Sequence, residues 1–333
     1  MAGLDRRRLG LLAVRYGLFL ALGAWLVAMS LASEHFFTWL NFLNVARQAA
    51  PILVIAVGMT FVMATAGIDL SVGSLVALIS VLIVTFFGLG LPTGVVIPAV
   101  LMLGLVSGLA NGYFVQLGLP PFVVTLAMLT TLRGIAFVVS DGYATPVKDD
   151  LVLWLGRGKI GPVHTPIVLA VIVAIAGWLV LSKTRFGLYA LAVGGREEAA
   201  RAMGINVRGV KLAVYGAIGL LGALAGIVLT GRLGNGSPNA GIMLELEVIA
   251  ATVLGGTSLF GGVATIAGTV AGALFINFVR NGLNLLGVNP FWVQVATGLI
   301  LLLAVLLNTV VNRRVTEWAR VLKTEEPESE AEP

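Results

Sequence analysis

Apolar runs long enough to cross a lipid bilayer recur along this chain with almost no charge inside them. Residues 70–88 and 94–116 contain no charged side chain at all. Roughly 20 such residues match one helical crossing of the hydrocarbon core. Backbone polar groups in lipid must be satisfied within the segment, so the runs read as helices. They lie near 12–32, 50–66, 70–88, 94–116, 121–140, 163–182, 210–231, 244–258, 262–280 and 290–310. The expected fold is all-α: a polytopic transmembrane bundle of about ten spans, with one domain over 1–311. Composition agrees, with 58% hydrophobic and 11% charged residues against about 45–50% and about 25% for soluble domains. An ordinary soluble enzyme and a disordered chain are both excluded.

Ten crossings place both termini on one side, and the cations say which. With the N-terminus inside, fourteen cations are cytoplasmic: Arg6, Arg7, Arg8 and Arg15, six between spans six and seven, and four in the tail. Five lie outside: Arg47, Lys148, Arg157, Lys159 and Arg232. The positive-inside rule therefore sets both termini in the cytoplasm. The start also resembles a cleavable signal peptide, but its apolar run exceeds a usual h-region, so an uncleaved span is expected. The acidic stretch 325–333 lacks an apolar face, and the tail 312–333 reads as a disordered cytoplasmic extension.

Several chemistries drop out. Cysteine is absent and the two histidines, His35 and His164, are far apart, which removes disulfides, thiolate nucleophiles and Cys/His metal sites. No bound metal or other cofactor is expected. The net charge of +5 comes from cations near helix ends, so it signals membrane topology and lipid contact rather than nucleic acid. The five lysines, Lys148, Lys159, Lys183, Lys211 and Lys323, include none in a G-x-x-x-x-G-K-[ST] loop, so a P-loop nucleotide site is absent.

Most of the 42 glycines suit close helix packing. Gly104, Gly108 and Gly112 sit four apart, as do Gly222/Gly226 and Gly268/Gly272, the spacing that lets backbones approach in lipid. Two clusters differ because they interrupt apolar runs: Gly67-Ile68-Asp69-Leu70-Ser71-Val72-Gly73-Ser74 and Gly255-Gly256-Thr257-Ser258-Leu259-Phe260-Gly261-Gly262. Such breaks mark a translocation path or gate, with Asp69, Ser71, Gly67, Gly73, Thr257 and Ser258 as candidates. Tight hairpin turns that need glycine for positive φ explain them equally well.

Asp69 is expensive at hydrocarbon depth. Its position before Ser71 suits an N-cap-like role, and a gating or substrate contact is the alternative. Arg133, inside span five, must pair internally or line a cavity, with Asp69 as one candidate partner. Glu245 and Glu247 open the short eighth span, where capping accounts for them. Asn111, Asn281 and Asn284 offer amides to hydroxyls, though interhelical hydrogen bonding is the expected use; Asn281 joins the pathway candidates.

The soluble loop within 183–211 holds a short punctuated helix, Gly194-Gly195-Arg196-Glu197-Glu198-Ala199-Ala200-Arg201-Ala202-Met203-Gly204. Glutamates fill its first turn, Glu197 and Arg201 form an i,i+4 pair, and Gly204 suits a left-handed C-cap. Eight residues are too few to stand alone in water. Its remaining face, Ala199, Ala200 and Met203, is a candidate for docking into a partner's groove. A helix resting on the lipid surface would want larger apolar residues.

Three blocks together resemble the inner-membrane permeases of monosaccharide ABC importers of the ribose and xylose type. They are Gly58-Met59-Thr60-Phe61-Val62 through Ser74, Arg185-Phe186-Gly187 through Gly204-Ile205-Asn206-Val207, and Ile249 through Thr269 continuing to Asn281-Gly282-Leu283-Asn284. The resemblance covers most of residues 45–310. It implies a multi-pass protein of the bacterial cytoplasmic membrane that pairs with a second copy. An ATP-binding subunit would dock inside, using ATP that this chain does not bind, and an extracytoplasmic sugar-binding protein would deliver the monosaccharide. It also implies that residues 194–204 are the coupling element, with Gly194, Gly195, Glu197, Glu198, Ala199, Ala200, Arg201 and Gly204 facing the ATPase. Arg196-Glu197-Glu198 departs from relatives that carry a neutral residue first.

Other readings are an ion-coupled secondary transporter, an ABC permease for nucleosides or branched-chain amino acids, and a membrane enzyme. The first needs ionisable relay groups, and only Asp69 and Arg133 lie deep. The last lacks a metal set, a His/Asp pairing or a G-x-S-x-G elbow, so catalytic residues are not expected.

Overall fold

The computed structural model describes residue 18, residues 20–289 and residues 291–306. The N-terminal arginines and the acidic tail lie outside the described residues, as do parts of the first and last expected spans. Thirteen helices among the described residues run α1 Leu20–Ala32, α2 Trp39–Ala64, α3 Val72–Gly88, α4 Thr93–Gln116, α5 Pro121–Ser140, α6 Asp150–Arg157 and α7 Thr165–Lys183. They continue as α8 Arg185–Gly195, α9 Glu197–Ala202, α10 Val207–Leu233, α11 Leu244–Leu254, α12 Ile266–Leu285 and α13 Phe291–Leu306. Two short antiparallel pairs join loops: β1 (Thr145–Pro146) with β4 (Asn235–Gly236), and β2 (Lys159–Ile160) with β3 (Val163–His164).

Among the described residues, six helices are long and apolar enough to cross a membrane: α2, α4, α5, α7, α10 and α12. α1, α3 and α13 are shorter apolar helices. The expected eighth span, 244–258, is an 11-residue helix that rises about 16 Å, roughly half of the hydrocarbon thickness.

Burial sorts the helices into layers. In the apolar window of α2, 83% of residues are buried, against 22% in α4 and α5. α2 is therefore the hub, and α4 and α5 present broad apolar faces outward. α2 starts where Thr38 accepts the Asn41 amide at 3.2 Å, and it includes Pro51, a residue that membrane helices tolerate. α10, the longest helix, is capped by Asn206 at its start and by Gly234, with φ +75°, at its end.

The glycine stripes do what their spacing predicts. Gly104 and Gly108 of α4 face Gly219 of α10, where a Cβ on Gly219 would stand 2.8 Å from the Gly108 backbone. Gly222 and Gly226 receive Leu75 and Ile79 of α3, and Gly268 and Gly272 lie on the backbone of Gly255 and Ala251. Close backbone approach replaces the hydrophobic drive that lipid cannot supply.

Two helices fall in segments expected as loops. In α6, Asp149 caps by accepting the Val152 amide at 2.9 Å, and Gly156 packs against Gly231 of α10. α8 starts where Thr184 accepts the Gly187 amide at 3.4 Å.

Candidate functional site: a coupling helix joined to two glycine loops

α9 is six residues long, shorter than the eight expected. Arg196, extended at φ −159°, separates it from α8, and Gly204, at φ +81°, reverses the chain after it. Too short to hold itself, it is pinned from its first residue. Glu197 accepts from Arg201 at 2.9 Å and from Lys211 of α10 at 2.7 Å. The Lys211 hydrogen bond, outweighing the opposing effect of partial burial, holds the Glu197 carboxyl below its ordinary pKa.

The outward face differs from the one expected. Ala200 is fully buried and packs with Ala64, Ala190, Val193, Val207 and Val210. The exposed face is Glu198, Arg201, Ala202 and Met203, with Ala199 half-buried and Gly204 and Gly195 exposed. The reason is rotational: with Glu197 tied to α10, a residue three positions on returns to the same side of the helix. Beside this face lies a cleft of about 540 Å³ bordered by Thr65, Ala66, Gln116, Gly194, Arg196 and Lys211.

Gly194 joins this helix to the rest of the molecule. A Cβ there would overlap the Ala64 carbonyl at the end of α2 and stand 2.8 Å from the Gly262 amide. That amide donates to the Ala64 carbonyl at 3.1 Å. Gly261 and Gly262 hold φ of +83° and +76°, and Ala66 holds +58°. The end of α8, the end of α2 just before the first glycine cluster, and the second cluster therefore meet backbone to backbone at one point.

In the first cluster, Asp69 is 1% exposed. Its Oδ1 accepts from the Ser71 amide at 2.8 Å and the Ser71 hydroxyl at 2.6 Å. Asn111 donates to Asp69 Oδ2 at 3.2 Å and to Ser71 Oγ at 2.9 Å. The Tyr215 hydroxyl donates to the Ile68 carbonyl at 3.1 Å, and a Cβ on Gly67 would stand 2.8 Å from that hydroxyl. Gly73 abuts the Gly241 carbonyl and the Glu245 carboxylate. Every buried acceptor needs a donor, and Asp69 gets two from Ser71 within the α2–α3 turn and one from Asn111 of α4. Arg133 is not its partner: its guanidinium donates to the carbonyls of Pro238 at 2.7 Å and Ala240 at 2.9 Å.

In the second cluster, Thr257 and Ser258 are buried. The Ser258 amide donates to the Val263 carbonyl at 2.9 Å and its hydroxyl accepts the Phe260 amide at 3.1 Å. Asn281 is elsewhere. It exchanges two amide hydrogen bonds of 2.9 Å with Asn41, about 22 Å along α12 from its start. This is the interhelical use expected of it, and it stands apart from the glycine loops. Glu247, expected only to cap, is ion-paired with Arg280 of α12. Asn111 and Tyr215 complete the turn network. A polar residue amid the small-residue stripe signalled the first, whereas nothing in the local sequence marked the second.

A bundle of apolar helices, six of them long enough to cross a membrane among the described residues, with interrupted helices inside, fits a membrane transport permease. The chain belongs to the family described as the permease component of branched-chain amino acid transport systems, matched over residues 41–305. It is 42% identical over 296 residues to the ribose import permease protein RbsC of Escherichia coli K12, covering 87% of this chain and 92% of that one. It is 42% identical over 297 residues to RbsC of Bacillus subtilis (88% and 92% covered). It is 34% identical over 361 residues to the xylose transport system permease protein XylH of E. coli K12 (87% and 92% covered). No solved structure matches the chain.

Proposed function

We propose that this chain is the membrane-spanning permease subunit of an ATP-driven importer in the bacterial inner membrane. Two copies form the path, a binding protein delivers a monosaccharide outside, and an ATP-binding subunit docks on α9 inside. The named relatives at 34–42% identity import ribose or transport xylose, which favours a sugar over other cargo of the family. About ten crossings with both termini cytoplasmic put α9 on the inner side, in accord with the cation count.

One observation carries the mechanism: the backbone junction of Gly194, Ala64 and Gly262. A push on α9 displaces Gly194, and the junction leaves no slack between it and the two interrupted helices. Packed interfaces of this kind switch between discrete arrangements, so ATP binding in the docked subunit would change access to the path. An ion-coupled scheme needs a carboxylate free to exchange, whereas both oxygens of Asp69 already accept, from Ser71 on its own turn and from Asn111 of α4.

The test is co-purification after mild solubilisation, followed by reconstitution. Recovery of an ATP-binding subunit and a soluble sugar receptor, with ATP-dependent uptake, is the expected result. Liposomes holding this chain alone that accumulate sugar against its gradient would overturn the reading.

A further inference from the structure

The end of the bundle opposite α9 holds two cavities of about 290 Å³ each. They share one wall, because Glu247 of α11 and Arg280 of α12 line both. In one, Asn284 and Gln294 add amides beside Ile242 and Leu301. In the other, Gln48 and Asn277 do so. The pair is only partly in solvent, with side chains 14% and 31% exposed for Glu247 and Arg280.

A half-buried ion pair is weak evidence for stability, since apolar residues of similar size often hold helices as well. Its chemistry suits a ligand better. A carboxylate accepts from several donors, a guanidinium donates through five N–H groups, and amides do both. Neighbouring hydroxyls, each donor and acceptor, are the matching ligand surface. The size agrees, being at the foot of the roughly 300–1,000 Å³ range of small-molecule pockets.

We propose that Glu247 and Arg280 form a sugar subsite and a partition in the path. A monosaccharide arriving in the first cavity donates to the Glu247 carboxylate and accepts from the Arg280 guanidinium, the pair separates, and the two cavities join. This rests on the sugar-import reading above.

The test uses the complete complex in proteoliposomes with D-ribose and D-xylose. Glu247→Gln and Arg280→Gln should each lower uptake about tenfold, the size of one charge-assisted hydrogen bond, and change the ribose-to-xylose ratio. Equal loss for both sugars overturns the subsite. So does a double swap, Glu247→Arg with Arg280→Glu, that restores uptake at the wild-type ratio, because a mere bridge tolerates exchange. A second readout does not depend on those variants. The chain has no cysteine, so Asn284→Cys gives one label site in each permease copy, read on this chain's own band after separation of the subunits. An impermeant maleimide should react from the side opposite the ATPase, severalfold more slowly with sugar-loaded receptor present. A rate indifferent to sugar overturns the proposal. Failure of the wild-type complex to accumulate either pentose sinks the sugar-import reading as well, which separates the two failures.

Discussion

The amide of Gly262 donates to the carbonyl of Ala64 over 3.1 Å, bridging two loops almost 200 positions apart in the chain. Gly194 sits on the same carbonyl. The end of α8, one residue before α9, thus touches both interrupted helices through main chain, where no rotamer change can absorb a displacement.

Gly194→Ala should break that junction. The added methyl meets backbone rather than a flexible side chain, so the strain is relieved only by moving α8, at a cost of about 1–3 kcal/mol. Uptake should fall while insertion into the membrane persists. Wild-type uptake with an unchanged thermal midpoint would show that the junction transmits nothing.

Ala200 and Ala202 should behave oppositely when replaced by glutamate. Ala200 is fully buried, and an uncompensated carboxylate there neutralises or unfolds the segment; detergent-solubilised protein should lose thermal stability. Ala202 is exposed, so Ala202→Glu should leave the midpoint alone yet reduce co-purification of the ATP-binding subunit. Equal midpoints for the two variants would contradict the assigned faces.

Asp69→Asn should cost less than Asp69→Leu. Asparagine keeps an acceptor for the Ser71 amide, whereas leucine strands that amide and the Ser71 hydroxyl, at about 1–3 kcal/mol for each buried orphan. Thermal denaturation of the two variants compares them directly. An equal loss would assign the charge itself, rather than the cap, to function.

The tie between α9 and α10 should weaken in acid. The Glu197 pKa is lowered in the folded chain, so its contribution is present above the ordinary carboxylate range, near 4.5, and is lost as pH falls through the lower folded value. Amide hydrogen exchange over residues 197–203 should therefore rise, relative to intrinsic rates, on acidification below that range. Glu197→Gln should show fast exchange at neutral pH and no such rise. Identical pH profiles for wild type and variant would refute the tie.

Much of this molecule was legible before its structure. The glycine spacing in α4 and α10 named the packing faces, because small residues four apart have one main use in lipid. Asp69 beside Ser71 signals the local part of its network, since the Ser71 amide and hydroxyl lie two residues away, whereas Asn111 joins from α4. What failed was what depends on distance or rotation. Asp69 and Arg133 are each satisfied by other groups, and an unpaired charge in an apolar run does not reveal which carbonyls will reach it. Helix α6 was hidden in a polar loop, although Asp149 before an apolar turn was its signal. Ala200 was placed on the wrong face because the residue that sets the rotation of α9, Lys211, lies outside that helix.

From the amino acids alone follow the solvent, the helical class, the interrupted segments and the short helix after Arg196, all consequences of local periodicity and of the cost of bare backbone in lipid. Tertiary structure decided which interruptions touch, which alanine faces outward, and that Glu247 meets Arg280 across 33 positions of chain. Those are matters of how helices rotate and abut, and the free energy choosing among them resides in contacts that no single segment contains.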